Sequence, residues 1–150
     1  MLTTNKLPEF GLPLDAEDER HFDLTAARQV EQLLRLCPAN RRTTLHSLPG
    51  LAAQLGVRGI LVKDESTRLG LGSFKALGGA YAVIRLVLEE AGRALRRPIA
   101  PEELLSAPVR AIAAGLTVAC ATDGNHGKSV ATGARMLGAR AVIFVHQGRF

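Results

Sequence analysis

The fold class is decided by residues 116–145. They open with Leu116-Thr117-Val118-Ala119-Cys120-Ala121, pass through Thr122-Asp123-Gly124-Asn125-His126-Gly127, and close with Ala141-Val142-Ile143-Phe144-Val145. The first and last runs are short and apolar, as strands are. Between them, Asn125 to Leu137 reads as a helix, and Gly138 suits its C-terminus. Strand, helix and strand in that order form a β-α-β unit, which predicts a parallel pair, a right-handed crossover and an α/β protein.

Working outward, a long helix is expected from about Phe74. Leu77, Tyr81, Ile84 and Leu88 recur at three- and four-residue spacing and predict its core stripe. Residues 92–101, with Arg93, Arg96, Arg97 and Pro98, read as a solvated turn. Pro101-Glu102-Glu103 reads as a first helical turn, its acids at the positive end of the dipole. Before the long helix lies a glycine-rich loop, Ser66 to Ser73, preceded by Gly59-Ile60-Leu61-Val62-Lys63, a run of buried-strand type. Pro49 suits the start of a short helix carrying Leu51 and Leu55 and ending at Gly56. Thr25 is the expected cap of another, with Val30, Leu33, Leu34 and Cys37 on one face, ending before Pro38. Residues 1–15, punctuated by Pro8, Gly11 and Pro13, read as an irregular arm. The expected organisation is an arm and helix over 1–40 and a chemistry-bearing region over 41–150.

Composition narrows the function classes. The 150 residues, 47% hydrophobic, are ordinary for one globular domain of roughly 100–200 residues. The longest apolar stretch, Ala111 to Ala121, is shorter than the ~18 residues a membrane span needs, and the N-terminus has no signal-peptide core. A cytoplasmic protein is therefore expected. Cys37 and Cys120 lack metal-ligand spacing and read as buried thiols. The charge of +5 comes from 15 arginines and four lysines. The arginines are scattered among acids, and with no Trp, one Tyr and five Phe there is no stacking platform, which argues against nucleic acid.

Two segments break local rules. In Ser73-Phe74-Lys75-Ala76-Leu77-Gly78-Gly79-Ala80-Tyr81, adjacent glycines sit inside a helix at a cost of ~1 kcal/mol each. They either let a bulky group approach the first turns or permit tight helix packing. Lys75 stands where the dipole disfavours a cation, and partial burial there would favour the neutral, nucleophilic amine. The alternative is an ordinary solvated lysine. The second segment, Thr122 to Gly127, lies at the carboxyl end of a strand, where open α/β sheets bind ligands. Its glycines and helix-starting N–H groups suit an anion, Asn125 can hydrogen-bond a ligand and Asp123 can accept a proton. Equally, Asp123 or Asn125 can be the helix cap and His126 a satisfied surface or core histidine. No Walker or GxGxxG fingerprint is present.

Ser73-Phe74-Lys75 with Gly78-Gly79, and Gly124-Asn125-His126-Gly127 beginning 45 residues after Gly79, resemble the fold-type II pyridoxal-phosphate enzymes. That group includes serine and threonine dehydratases, threonine synthase and tryptophan synthase beta. Leu61-Val62-Lys63-Asp64-Glu65-Ser66, the run Phe74 to Ala82, and Thr122-Asp123 ahead of Gly124 resemble more closely the diaminopropionate ammonia-lyase family. Dehydratases carry a small residue where this chain has Asp123. The resemblance covers about residues 40–148. It implies a partial tryptophan synthase beta-like fold, with pyridoxal 5'-phosphate as cofactor and a small amino acid as substrate. By resemblance, Lys75 is the Schiff-base lysine, with Phe74 and Asn125 also at the cofactor. The loop of Gly124, Asn125, His126 and Gly127 holds the substrate carboxylate, and Asp123 is a second base opposite Lys75. The implied reaction is α,β-elimination of 2,3-diaminopropionate to pyruvate and ammonia, in a family whose members form homodimers.

The match departs at Arg41-Arg42-Thr43-Thr44-Leu45, where relatives carry a Pro-Thr-Pro-Leu-like segment, and nothing in residues 1–150 resembles the phosphate-binding glycine loop. A first portion of such a lyase with weak cofactor retention and little turnover is expected. The alternatives are a dehydratase-like enzyme and an inactive remnant or interaction fragment.

Overall fold

The computed structural model describes residues 3–148. Its first ordered elements are set by aspartates. Asp15 accepts the N–H groups of Glu17 (2.9 Å) and Asp18 (2.8 Å) and opens helix α1, Ala16–Phe22. Asp23 accepts the N–H of Ala26 at 2.6 Å and opens α2, Leu24–Arg35. The cap expected at Thr25 is thus supplied two residues earlier, because a carboxylate is the stronger acceptor at the positive end of a helix. Helix α1 buries nothing, so no apolar period announced it. The apolar face of α2 forms with Leu33 buried and Val30 and Leu34 half-buried, but the helix stops at Arg35, so Cys37, also half-buried, lies beyond its end rather than on that face. Cys37 and Cys120 are free thiols, half-buried rather than fully so.

A small lobe follows, made of β1 (Leu45–Ser47), α3 (Pro49–Leu55) and β2 (Leu61–Lys63). Gly56, at φ 63°, closes α3 as its sequence position indicated. The strands pair antiparallel in the register Leu45↔Lys63, His46↔Val62 and Ser47↔Leu61. All six strand residues are exposed, which corrects the expectation of a buried strand at 59–63. A two-stranded ribbon has no second layer of its own to bury a face.

The core lies in the second half of the chain. Helix α4, Lys75–Leu95, buries Ala76, Gly79, Val83, Val87 and Ala91. The stripe expected from Leu77, Tyr81, Ile84 and Leu88 is only half-buried, about a quarter-turn round the helix from the true core face. Small residues occupy the buried face because helix α6 (Asn125–Leu137) comes too close for larger ones. A Cβ on Gly79 would stand 2.8 Å from Ser129 Oγ, and one on Gly133 would stand 3.0 Å from Ala80 Cα. The displaced large residues Leu77, Tyr81 and Ile84 instead line an apolar groove of about 380 Å³ with Leu33, Leu34 and Cys37.

Helix α4 ends at Leu95 and gives way to a turn in which Arg97 clasps Glu103 with both guanidinium nitrogens, at 2.9 and 2.5 Å. That pair, with the Ala100 N–H, holds the Glu103 carboxyl down at about 2. Pro101–Glu103 makes one 3-10 turn rather than opening a helix, since Glu103 is bent back onto Ala100. The helix begins later, as α5, Ala107–Ala114, with Val109 and Ala113 buried. Strands β3 (Thr117–Ala121) and β4 (Arg140–Phe144) flank α6 and pair in parallel from Thr117↔Arg140 to Ala121↔Phe144, and Gly138 at φ 84° ends the helix. The β-α-β unit therefore forms as its sequence indicated. Val87, Val109, Val118, Val130 and Leu137 knit helices α4, α5 and α6 and strand β3 into one apolar core.

Candidate functional site

Lys75 is the first residue of α4, and Ser73 prepares its position. The Ser73 hydroxyl accepts the Lys75 N–H at 3.2 Å and its carbonyl accepts the Ala76 N–H at 3.0 Å, so the residue just ahead of the Phe74 cap position binds the first N–H groups of the helix. Phe74, between them, is 67% exposed and buries no ring. The Lys75 side chain is also exposed, so the partial burial expected to favour its neutral form is absent among the described residues.

The two adjacent glycines serve different ends. Gly79 faces α6 and is demanded by packing. Gly78 faces away, with nothing within 4 Å of where its Cβ would stand. The packing reading holds for Gly79, and Gly78 leaves the surface of the first turn open.

The second segment begins where β3 ends. Asn125 is the first residue of α6 and Gly124 its cap position, and no side chain of Gly124 exists to cap it. The cap position thus falls between the two residues expected to fill it, after Asp123 and before Asn125. Lys128 is the first residue whose N–H reaches a helical carbonyl, that of Gly124, at 3.1 Å. The N–H groups of Asn125, His126 and Gly127 precede that bond and point out of the helix end, where they favour an anion. Asp123 Oδ1 accepts the His146 N–H at 3.0 Å, tying this loop to the segment after β4. Gly124, Asn125 and His126 are exposed, so His126 is not a core histidine. Gly127 is buried. A Cβ there would meet Thr122 Cγ2 at 2.7 Å and Ile143 Cγ2 at 2.9 Å, so its lack of a side chain is what lets α6 seat on the strands. Asp123, Gly124, Asn125 and Lys128 border an open cleft of about 620 Å³.

The two segments meet. Ala76 and Ala80 touch Ser129, while Ala80 and Val83 approach Gly133. Contacts advance in the same direction along both helices, so the two N-termini lie at one end of the molecule. Lys75 and the loop Gly124 to Gly127 are thereby brought to that end together.

Ahead of Lys75 in the chain lies a polar cluster to which the sequence patterns gave no role. Arg68 grips Glu65 through Nε (2.6 Å) and Nη2 (2.8 Å), and also donates to Thr43 Oγ1, Asn40 Oδ1 and the Arg41 carbonyl. Thr43 Oγ1 donates to Glu65 at 2.6 Å, and Lys63 Nζ reaches the Thr43 carbonyl at 2.6 Å. The guanidinium, then the Thr43 hydroxyl, hold the Glu65 carboxyl at about 2. Asp64 is lowered too, chiefly by its hydrogen bonds with Ser66. Two of its members, Arg41 and Thr43, belong to the stretch Arg41 to Leu45 that departs from the Pro-Thr-Pro-Leu-like pattern. The cluster ties that stretch to the loop leading into Lys75, in which Leu69 is held at φ 51°. Ser129, buried beneath the first turn of α4, also went unread. Its only sequence signal is a small polar residue four before Gly133 on the face that also carries Leu137.

Residues 36–149 match the family described as "Pyridoxal-phosphate dependent enzyme". Over 147 residues the chain is 38% identical to the diaminopropionate ammonia-lyase of Escherichia coli K12, covering 93% of this chain and 36% of that one. Two crystal structures of the Escherichia coli enzyme superpose well. The apo form gives a TM-score of 0.70 at 37% identity, over 86% of this chain and 34% of that one. The complex with D-serine gives 0.69 at 38% identity, over 85% and 31%. The chain thus spans about a third of the length of the curated relatives it matches.

Proposed function

Because the chain belongs to the family of pyridoxal-phosphate dependent enzymes, we propose that it carries the cofactor lysine and substrate loop of a diaminopropionate ammonia-lyase. The observation that carries this reading is the parallel approach of α4 and α6, which brings Lys75 and the Gly124 to Gly127 loop to the same end of the molecule.

The residues fit pyridoxal phosphate. A flat aromatic ring needs an open approach beside the lysine, and the unoccupied side of Gly78 supplies one. Lys75, Phe74 and Asn125 would hold it, the first through its amine and the last through its amide. When bound, the cofactor supplies the electron sink for α,β-elimination. The protein's own contribution is positional and acid–base. Ser73 fixes the backbone of Lys75, whose Nζ moves the Cα proton. The outward N–H groups of Asn125, His126 and Gly127 bind the substrate carboxylate. Asp123, its loop tied to His146, is the second proton acceptor. Elimination of the β-amino group from 2,3-diaminopropionate then gives pyruvate and ammonia after hydrolysis. The setting is a cytoplasmic homodimer acting on a small amino acid.

The test is chemical trapping. The chain is incubated with pyridoxal phosphate, reduced with borohydride and mapped by mass spectrometry. Label concentrated on Lys75, and lost in Lys75→Ala, supports the reading. Label shared evenly among Lys6, Lys63, Lys75 and Lys128 sinks it. Ammonia release compared across diaminopropionate, serine and threonine, in a protein spanning the full length of the relatives, then separates the lyase from a dehydratase.

A further inference from the structure

Ser129 is the most deeply enclosed polar side chain near the site, with 0% of its surface exposed. Its Oγ accepts the Ala80 N–H at 2.8 Å and donates to the Ala76 carbonyl at 2.6 Å. Those two groups, four residues apart, are the partners that a regular helix joins to each other. A hydroxyl from α6 therefore stands in the hydrogen-bond ladder of α4, within the turn that begins at Lys75. Gly79 makes the insertion possible, since a Cβ there would lie 2.8 Å from Oγ and 2.9 Å from Ser129 Cβ.

We infer that Ser129 is a positioning residue, whose buried hydroxyl fixes the first turn of α4, and with it Lys75, relative to the loop Gly124 to Gly127. Apolar contact alone sets how close two helices lie but leaves rotation and sliding soft. A hydroxyl that both donates and accepts across one turn fixes both, because each of its bonds has a preferred direction. Ser129 also lies one turn after Asn125 on the same helix, so a shift of α4 at Ser129 is a shift of Lys75 against Asn125. Removing the hydroxyl need not unfold α4, since the two groups it bonds are each other's regular partners in a continuous helix. Position is lost while stability is largely kept. Ser129 touches neither substrate nor cofactor and acts only through the backbone of α4.

This inference rests on Lys75 being the cofactor lysine, and one experiment separates the two claims. The readout is the labelling ratio of Lys75 to Lys6 after incubation with pyridoxal phosphate and borohydride, far below each variant's melting temperature. Lys6, in the arm, is the internal reference. In wild type a ratio near one overturns both the function reading and this inference. Given a high wild-type ratio, Ser129→Ala is expected to lower it about five-fold, the effect of one hydrogen bond, with melting temperature nearly unchanged. An unchanged ratio overturns the inference and leaves the function reading intact. Should Ser129→Ala fail to fold, the double variant Gly79→Ala with Ser129→Gly decides. It exchanges the methyl-sized volumes across the interface and so restores packing without the hydroxyl. A low ratio in that folded double variant supports positioning by the hydroxyl, whereas a wild-type ratio shows that packing suffices and overturns it.

Discussion

The lobe from Asn40 to Arg68 and the unit from Lys75 to Phe144 solve the same problem by opposite means. In the second unit, small residues let two helices close over an apolar core, and Leu137 and Val87 are fully buried. In the lobe both strands are exposed, and what holds the chain is one guanidinium serving Glu65, Thr43, Asn40 and a backbone carbonyl. Dry packing is indifferent to pH and salt, whereas a charged fork is sensitive to both. The part of the molecule that carries Lys75 and Asn125 is thus built on the rigid side, and the segment leading to Lys75 is held by the sensitive one.

The largest expected effect breaks the dry side. Leu137→Ala should cost about 2–5 kcal/mol, read from the denaturant midpoint, because a fully enclosed side chain leaves a cavity. Leu61→Ala, at a strand residue 65% exposed, should stay within about 0.5 kcal/mol. Equal losses would erase the contrast. Next comes Gly127→Ala, whose methyl must displace Thr122 and Ile143, at a cost of about 1–3 kcal/mol in the same measurement.

Acid should act on the other side. The Glu65 carboxyl is lowered from 4.5 to about 2, so its contribution is complete above 4.5 and disappears as pH falls towards 2. Amide protection across residues 43–47 and 61–68, taken against the intrinsic exchange rate at each pH, should fall in that window while α4 and α6 keep theirs. Loss of protection at one common pH in both regions would show that the fork does not hold the lobe separately. The smallest effect is Gly78→Ala, expected to stabilise by about 0.5–1 kcal/mol, since an exposed helical glycine gains from a methyl group with room around it. The same methyl should slow pyridoxal phosphate labelling of Lys75, because it fills the open side. A variant that is more stable and labelled at the wild-type rate would move the cofactor face elsewhere.

Much of the rigid side was legible in the residues. Leu116 to Val145 gave its strand-helix-strand order because short apolar runs and a helical period are local properties. Gly56 and Gly138 marked helix ends because a left-handed backbone is a local demand. The stripe on α4 was misread because Leu77, Tyr81, Ile84 and Leu88 are the larger apolar residues, and hydrophobicity alone ranks them above Ala76, Gly79 and Val83. Their burial depends on how near α6 comes, which no local pattern contains. Likewise the fork at Arg68 joins residues 28 positions apart, and Thr25 lost its capping role to a competitor visible only through geometry.

By itself, then, the sequence determined the class of the fold, the helix carrying Lys75 and the loop of Asn125, since each rests on spacing within a few residues. Tertiary structure alone decided that the two lie at the same end, that Gly79 packs while Gly78 stays open, and that Ser129 joins their helices. The reason is physical: helix propensity and turn chemistry act along the chain, whereas the closeness of two helices is set by which faces can shed their side chains, a property of the pair.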